Sequence, residues 1–316
     1  MRKLGPFKTF TLGALALLTA AATADAEQTP PDAADLRPQW QPGHTSQFET
    51  WSKRTRNTTL AAAGQSREQQ VTIENQAHVT WHVQRTEPDG SAHCTMTYHW
   101  MTSTLTSPDG EQLHNDSRQS TGDIPPMHQL LRAITGNTIR VQINPDGSIR
   151  GVSGLGPIQN ALPDQQMMPD EQEFHEAAAR LILLAGPPSQ AQPADSWNAH
   201  QRWTHELGHL EYNLNTTLQS IDRIENTNLA TITSRAQPTL EVDHTQAPAD
   251  APPIDVRLSH GNYISETLFD MDRRETLGRN INQSLTIDVT ISLPEATLQQ
   301  TIHETVQNQV LRVAEE

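Results

Sequence analysis

The chain carries a single cysteine, Cys94, in 316 residues, which excludes an intramolecular disulfide framework. Lysine is almost missing: Lys3, Lys8 and Lys53 are followed by none, so arginine supplies nearly all the positive charge. The formal net charge is −15, a balance that argues against nucleic acids and anionic membranes as partners. Aromatics make up 4% of the residues and hydrophobics 34%. That apolar content is low, but it is concentrated in alternating segments, so global disorder is not expected. After the N-terminal region no apolar run has the length a membrane helix needs. The chain also lacks a serine nucleophile elbow, a phosphate loop, a dinucleotide fingerprint and spaced cysteine pairs.

Arg2, Lys3 and Lys8 precede an apolar run from Phe10 to Ala22, and Ala24-Asp25-Ala26 places small residues at both specificity positions of a signal-peptidase site. Residues 1–26 are therefore expected to be a signal peptide, with cleavage before Glu27 and a periplasmic or extracellular mature protein. Its removal moves the formal charge from −15 to −17, by loss of three basic residues and Asp25. Residues 27–43 are polar and Pro-rich and read as a flexible leader.

The fold class expected from the pattern is mainly β (α+β), with antiparallel, curved sheet or half-barrel architecture and a mid-chain helical insertion. Val71, Ile73, Ala77, Val79, Trp81 and Val83 share one parity and polar residues fill the other, as in a long half-buried strand. Cys94, Met96, Tyr98 and Trp100 share one face of the return strand. Pro-Asp-Gly turns at 88–90, 108–110 and 145–147 punctuate this half. Helices are expected near 126–135 and 169–185, completing a β-rich lobe over 44–186. A Pro-rich linker at 187–195 leads to a second β-rich lobe at 196–316. There Leu210, Tyr212, Leu214, Thr216 and Leu218 alternate, as do Leu285, Ile287, Val289, Ile291 and Leu293. Leu298, Ile302, Val306 and Val310 fit either a helix or a strand. The strand is preferred, pairing with residues 281–293.

His205-Glu206-Leu207-Gly208-His209 is an H-E-x-x-H pentapeptide. On a helix His205 and His209 would share one face and bind zinc, with Glu206 as general base. It resembles the zinc site of the zincin metalloproteases over these five residues. The extended zincin pattern continues with a glycine and a third histidine; here Tyr212 and Asn215 stand in those places, and the nearest glutamates, Glu225 and Glu241, sit in no convincing helix. Trp203, Leu207, Leu210 and Leu214 have helical spacing, yet Leu210 to Leu218 alternates strictly and is rich in Asn and Thr. On a strand the two histidines would lie about 13 Å apart along the chain, and Gly208 would mark a turn or bulge. The strand reading is preferred, so no catalytic, metal or cofactor residue is favoured, and zinc held by His205 and His209 with Glu206 is the alternative.

His78, His82, His93 and His99 lie on one hairpin beside Cys94 and read as polar outward positions; a zinc or copper cluster is the other possibility. Cys94 falls on the apolar parity and reads as a small buried hydrophobe. Trp81, Tyr98 and Trp100 on adjacent strands are a possible apolar pocket, or simply cross-strand core pairs.

The layout of signal peptide, long alternating strands, helical insertion and further strands resembles uncharacterised exported bacterial β-rich proteins. More distantly it is similar to lipoprotein-carrier half-barrels, in which a curved sheet and helices enclose an apolar concavity. The resemblance implies a non-catalytic envelope protein that binds an apolar ligand or an envelope partner. The alternative is a zinc-dependent metallohydrolase.

Overall fold

In the computed structural model the described residues are 31, 33–62, 64–119, 126–162, 171–182, 186–242, 252–293 and 296–313. The expected signal peptide and cleavage point lie outside them.

The chain from Pro31 onward forms one unit built on a curved antiparallel sheet of thirteen strands. The strands are β1 (Thr45–Ala62), β2 (Gln65–Thr86), β3 (Ala92–Thr106), β4 (Gln112–Asp116), β5 (Thr138–Ile143), β6 (Ile149–Ser153), β7 (Ser196–His205), β8 (Gly208–Ile224), β9 (Thr227–Ala236), β10 (Thr239–Val242), β11 (Ile254–Asp270), β12 (Glu275–Ser292) and β13 (Thr297–Val313). Among the described residues three helices join them: α1 (Pro126–Ile134), α2 (Gly156–Ala161) and α3 (Glu171–Ile182). The principal strand order is β10-β8-β9-β11-β12-β13-β1-β2-β3-β5-β6, with β7 paired to β8 and β4 to β3.

The three Pro-Asp-Gly turns make the hairpins expected of them. In each, the glycine takes a positive φ, +89°, +85° and +86° at Gly90, Gly110 and Gly147. Glu87 and Ser91 close the first turn, with the Glu87 N–H donating to the Ser91 carbonyl at 2.8 Å. The Asp89 carboxylate accepts from the Ser91 N–H at 2.9 Å, the local bond that suits Asp to this position. β13 is a strand, and it pairs with β12 from Gly278 to Ser292. Its other edge pairs with β1 over residues 47–61. Strands from both expected lobes thus meet in the middle of a single sheet.

One face of the sheet carries the core. Ala77, Val79, Trp81 and Val83 of β2, Cys94, Met96 and Tyr98 of β3, and Ile139, Val141 and Ile143 of β5 are all buried. They pack with Phe174, Ala178, Leu181 and Ile182 of α3. A second cluster joins Trp203, Leu210, Tyr212, Tyr263, Ile281 and Ile287. Its centre is a triple aromatic contact, with Trp203, Tyr212 and Tyr263 ring centroids 4.9–5.6 Å apart. Complete burial of side chains of this size stabilises by roughly 1.5–3 kcal/mol each.

Helix α3 spans between two strand edges. Towards β6, the Val152 N–H donates to Glu171 Oε1 at 3.4 Å and His175 Nε2 lies 3.1 Å from the Ile149 carbonyl. Towards β7, the Thr204 N–H donates to Glu176 Oε1 at 2.5 Å. Side chains of one helix therefore occupy backbone groups on two otherwise unpaired edges, one of the ways edge strands are protected. Burial raises the Glu176 carboxyl above its ordinary range, against the bonds and the nearby Arg180 that favour its charge. The C-terminal end of α3 rests on β12, where Arg279 Nη1 donates to the Ala179 and Arg180 carbonyls at 3.4 Å. A cation suits this end of a helix dipole.

Two stretches that read as loose in the sequence make contacts among the described residues. The leader expected at 27–43 is pinned from Ala34, which exchanges backbone hydrogen bonds of 2.8 and 2.9 Å with Ala191 in the expected linker. Ala34, Leu36 and Ala191 are buried with Leu218, Ile232 and Phe269. The apolar side chains in these Pro-rich stretches give them something to bury, which composition alone does not convey.

Candidate functional site

The ordered leader builds one wall of a cavity. The Gln39 N–H donates to the Arg274 carbonyl at 3.2 Å, and Arg274 Nε donates back to the Arg37 carbonyl at 2.9 Å. Asp35 ties the same region together, meeting Arg37 and Arg274 at 2.8 Å each. Its carboxyl is held below the usual range chiefly by the hydrogen bond from Arg37. Residues 38–41 are thereby laid against the β11–β12 turn, over the start of β1 and the end of α3.

The cavity so enclosed has a volume of about 300 Å³, at the small end of the range for small-molecule sites. Its apolar wall is Trp40, Phe48, Trp81, Val83, Leu181 and Ile182. Trp40 and Trp81 stand 6.4 Å apart between centroids and are tilted by 46°. The polar wall is a connected network. Glu275 Oε1 meets Arg312 Nη1 at 2.5 Å, while Glu275 Oε2 accepts from Ser46 Oγ at 3.0 Å and lies 3.0 Å from His44 Nε2. Ser46 Oγ and His44 Nε2 are 3.1 Å apart. Arg312 and Thr276 are buried in this wall, and Glu275 is nearly so. Such an arrangement can hold a ligand that is apolar at one end and polar at the other.

Of the three aromatic residues singled out in the sequence, only Trp81 lines this cavity. Tyr98 is buried in the neighbouring core, and burial pushes its hydroxyl up to about 12. Trp100 is a correction. Val79 pairs with Tyr98 but His78 pairs with Trp100, so His99 is an extra residue in β3. This bulge reverses the side-chain alternation. Met101 takes the core face in place of Trp100. Trp100 instead stands on the outer face near His78, ring centroids 6.4 Å apart, under the Arg118 guanidinium at 4.7 Å.

The histidines of this hairpin do not converge. His78 and His99 are neighbours at 5.2 Å between centroids, whereas His82 bonds to Thr45 at 2.9 Å and His93 lies 3.3 Å from Glu87. Cys94 is buried and free, and burial pushes its thiol up to about 12.

The pentapeptide forms the tip of a hairpin. His205 ends β7, Glu206 and Leu207 turn, and Gly208 opens β8 opposite His205 with φ +138°. His209 pairs with Thr204 instead, so the two histidines fall on opposite faces of the sheet. The one-faced pair that helical H-E-x-x-H requires is not formed. Of the distant glutamates, Glu225 sits in the β8–β9 turn, and Glu241 lies opposite His209 with its carboxylate on Arg202 at 2.9 Å.

The hairpin tip closes on the concave face. Glu206 pairs with Arg56 of β1 at 2.6 Å, and the buried Glu304 of β13 is held by Arg54 and Arg56 at 2.6 and 3.0 Å. His205 is buried beside this cluster. Burial lowers its pKa, outweighing the pull of Glu304. It accepts the Leu207 N–H at 3.2 Å, a local turn bond. Its role in this geometry is to finish the hairpin.

Sequence reasoning missed His44, Ser46, Glu275 and Arg312, and the Trp40, Leu181 and Ile182 contribution to the wall. They lie between positions 40 and 312, and no local spacing connects them. Trp40, a lone large aromatic in a Pro-rich polar stretch, was the only available signal.

Residues 89–183 match DUF6263, a family of unknown function. That stretch supplies only Leu181 and Ile182 to the cavity. No curated protein matches the chain. Among solved structures, a DUF1329 family protein from Desulfovibrio piger is similar at 8% identity, covering 81% of this chain and 83% of its own, with a TM-score of 0.13. DynF from the dynemicin biosynthesis pathway of Micromonospora chersina is similar at 8% identity, covering 90% and 92%, with a TM-score of 0.16.

Proposed function

We propose that this is an exported, non-catalytic β-rich protein that holds a small ligand with an apolar body in the cavity beneath residues 38–41. The observation that carries the proposal is the cavity itself, about 300 Å³ with one aromatic-aliphatic wall and one wall of hydrogen-bonded polar groups. Small-molecule sites have this composition: mostly apolar lining with a few placed polar groups. Export is supported by the basic start, short apolar run and Ala24-Asp25-Ala26 of the N-terminal sequence. No helix among the described residues is long and apolar enough to cross a membrane. An envelope partner that receives or delivers the ligand belongs to this reading; a cofactor does not.

Two measurements test it. Expressed as the full chain in a Gram-negative host, the protein is expected in the periplasmic fraction with Glu27 as its first residue. The purified protein is expected to bind N-phenyl-1-naphthylamine saturably at one site per chain, with a fluorescence rise. The cavity-filling variant Ile182→Trp, checked for a cooperative melt, should lose that binding. Saturable binding that survives Ile182→Trp, or no binding by the native protein, overturns the proposal.

A further inference from the structure

The cavity is chemically lopsided, and the imbalance narrows the ligand. Among the described residues lining the cavity, Trp40 Nε1, Trp81 Nε1, Arg312 Nε, Thr276 Oγ1 and Glu275 Oε1 are buried without a hydrogen-bond partner. An indole N–H and a guanidinium N–H can only donate, and buried polar groups without partners are rare enough to require an explanation. The acceptors of the same wall already face partners: Glu275 Oε1, though without a hydrogen bond, is in ion-pair contact with Arg312 Nη1, and Glu275 Oε2 is held by Ser46 and His44. Unpaired N–H donors therefore outnumber unpaired acceptors in this wall.

Charge limits what that acceptor can be. The ionised residues lining the cavity are Asp272, Arg273, Glu275 and Arg312, two of each sign. A carboxylate or phosphate entering here would face Glu275 and compete with it for Arg312, Arg273 being exposed, and a cation would meet only Glu275 Oε1, already in ion-pair contact with Arg312. Buried charges without their own partner are strongly disfavoured. An uncharged oxygen acceptor meets neither objection. The volume of about 300 Å³ equals that of about ten waters in the liquid, room for an apolar body of about that many non-hydrogen atoms.

Resting on the proposed ligand-binding reading of this cavity, we infer that its ligand is a small neutral amphipath with a carbonyl head, such as a medium-chain ketone, ester or lactone. The head accepts from Trp40 Nε1, Arg312 Nε and the Thr276 hydroxyl. The body lies against Phe48, Val83, Leu181 and Ile182.

The test is displacement of N-phenyl-1-naphthylamine by three ten-carbon compounds that differ only in the head: 2-decanone, decanoate and decylammonium, at pH 7.5. The ketone is expected to displace at a concentration at least about tenfold below either ion. Thr276→Val removes one polar group while keeping the shape, and Trp40→Phe removes the indole N–H with part of the ring; each should weaken ketone binding at least about fivefold, the effect of one hydrogen bond. Trp100→Phe, on the outer face, should leave it unchanged. Equal or tighter binding of decanoate or decylammonium overturns the inference, as does unchanged ketone binding in both cavity variants. Those results would leave the cavity reading standing, whereas failure of the fluorophore to bind the native protein would remove both.

Discussion

The cluster around Glu304 makes an asymmetric prediction about stability. The Glu304 side chain is 3% exposed, while those of its partners Arg54 and Arg56 are 38% and 24% exposed. Replacing Glu304 by Leu leaves two guanidiniums that can turn towards water, and Arg56 keeps Glu206 at 2.6 Å. The expected cost is about 1–2 kcal/mol, below the usual figure for breaking a buried pair because neither remaining charge is sealed in. Replacing both arginines by Met strands a carboxylate that cannot reach solvent, beside a His205 ring whose protonation burial disfavours. Here the full penalty of about 3–5 kcal/mol applies. The triple variant Arg54→Met, Arg56→Met, Glu304→Leu removes these three charges together, leaves only Glu206, whose side chain is 46% exposed, and should recover to within about 1 kcal/mol of the native protein, since apolar replacement of a buried ion cluster is often neutral. Urea unfolding followed by tryptophan fluorescence, with slopes compared to confirm that the same surface is exposed, measures all three. The reasoning fails if the double arginine variant is no less stable than Glu304→Leu, or if the triple variant is no more stable than the double.

Trp81→Ala should cost about 3–5 kcal/mol, as for large-to-small changes in a packed core. Trp100→Ala should cost about 1 kcal/mol, mostly through the exposed Arg118 stacking contact; similar losses in both by urea unfolding would contradict the bulge at His99. The Cys94 thiol, raised to about 12 by burial, should resist Ellman's reagent at pH 8 in the native protein and react fully in urea. For His205 the folded pKa lies below its unfolded value near 6.5, so the unfolded chain binds more protons as pH falls through that value. Stability from this residue is present above it and lost below it, and His205→Gln should reduce the drop in melting temperature between pH 7.5 and 5.5. Glu176 acts in the opposite sense: its raised carboxyl binds protons more readily when folded, so its contribution is lost as pH rises above about 4.5. Glu176→Gln should therefore be relatively more stabilising at pH 7.5 than at pH 4.5 in the same melts.

Much of the sheet was legible because burial on one face imposes a period of two. Leu210, Tyr212, Leu214 and Leu218 alternate in the sequence and are buried together, and the same pattern assigned Leu285 to Val289 and resolved residues 298–310 as strand. The Pro-Asp-Gly turns were legible because their conformation is set within four residues. Trp100 was misassigned because a bulge is one inserted residue, and nothing local distinguishes the inserted His99 from its neighbours. The pentapeptide was legible as non-helical from the alternation that follows it. That its tip reaches Arg56 on β1 depends on the curvature of a sheet with several strands in between.

By itself, then, the sequence determined the strictly alternating strands, the Pro-Asp-Gly turns and two of the helices, and which side chains of those strands face inward as far as the bulge at His99, because backbone sterics and apolar periodicity act over a few residues. It also determined the acidic balance and the buried, unpaired state of Cys94. Only the tertiary structure decided that β13 joins β12 to β1, that α3 occupies two strand edges, and that a Pro-rich leader becomes the wall of a cavity. Those outcomes depend on which distant surfaces meet. The polar wall is the plainest case: His44, Ser46, Glu275 and Arg312 come from opposite ends of the chain, and they form one network only because the curved sheet brings the first strand beside the last.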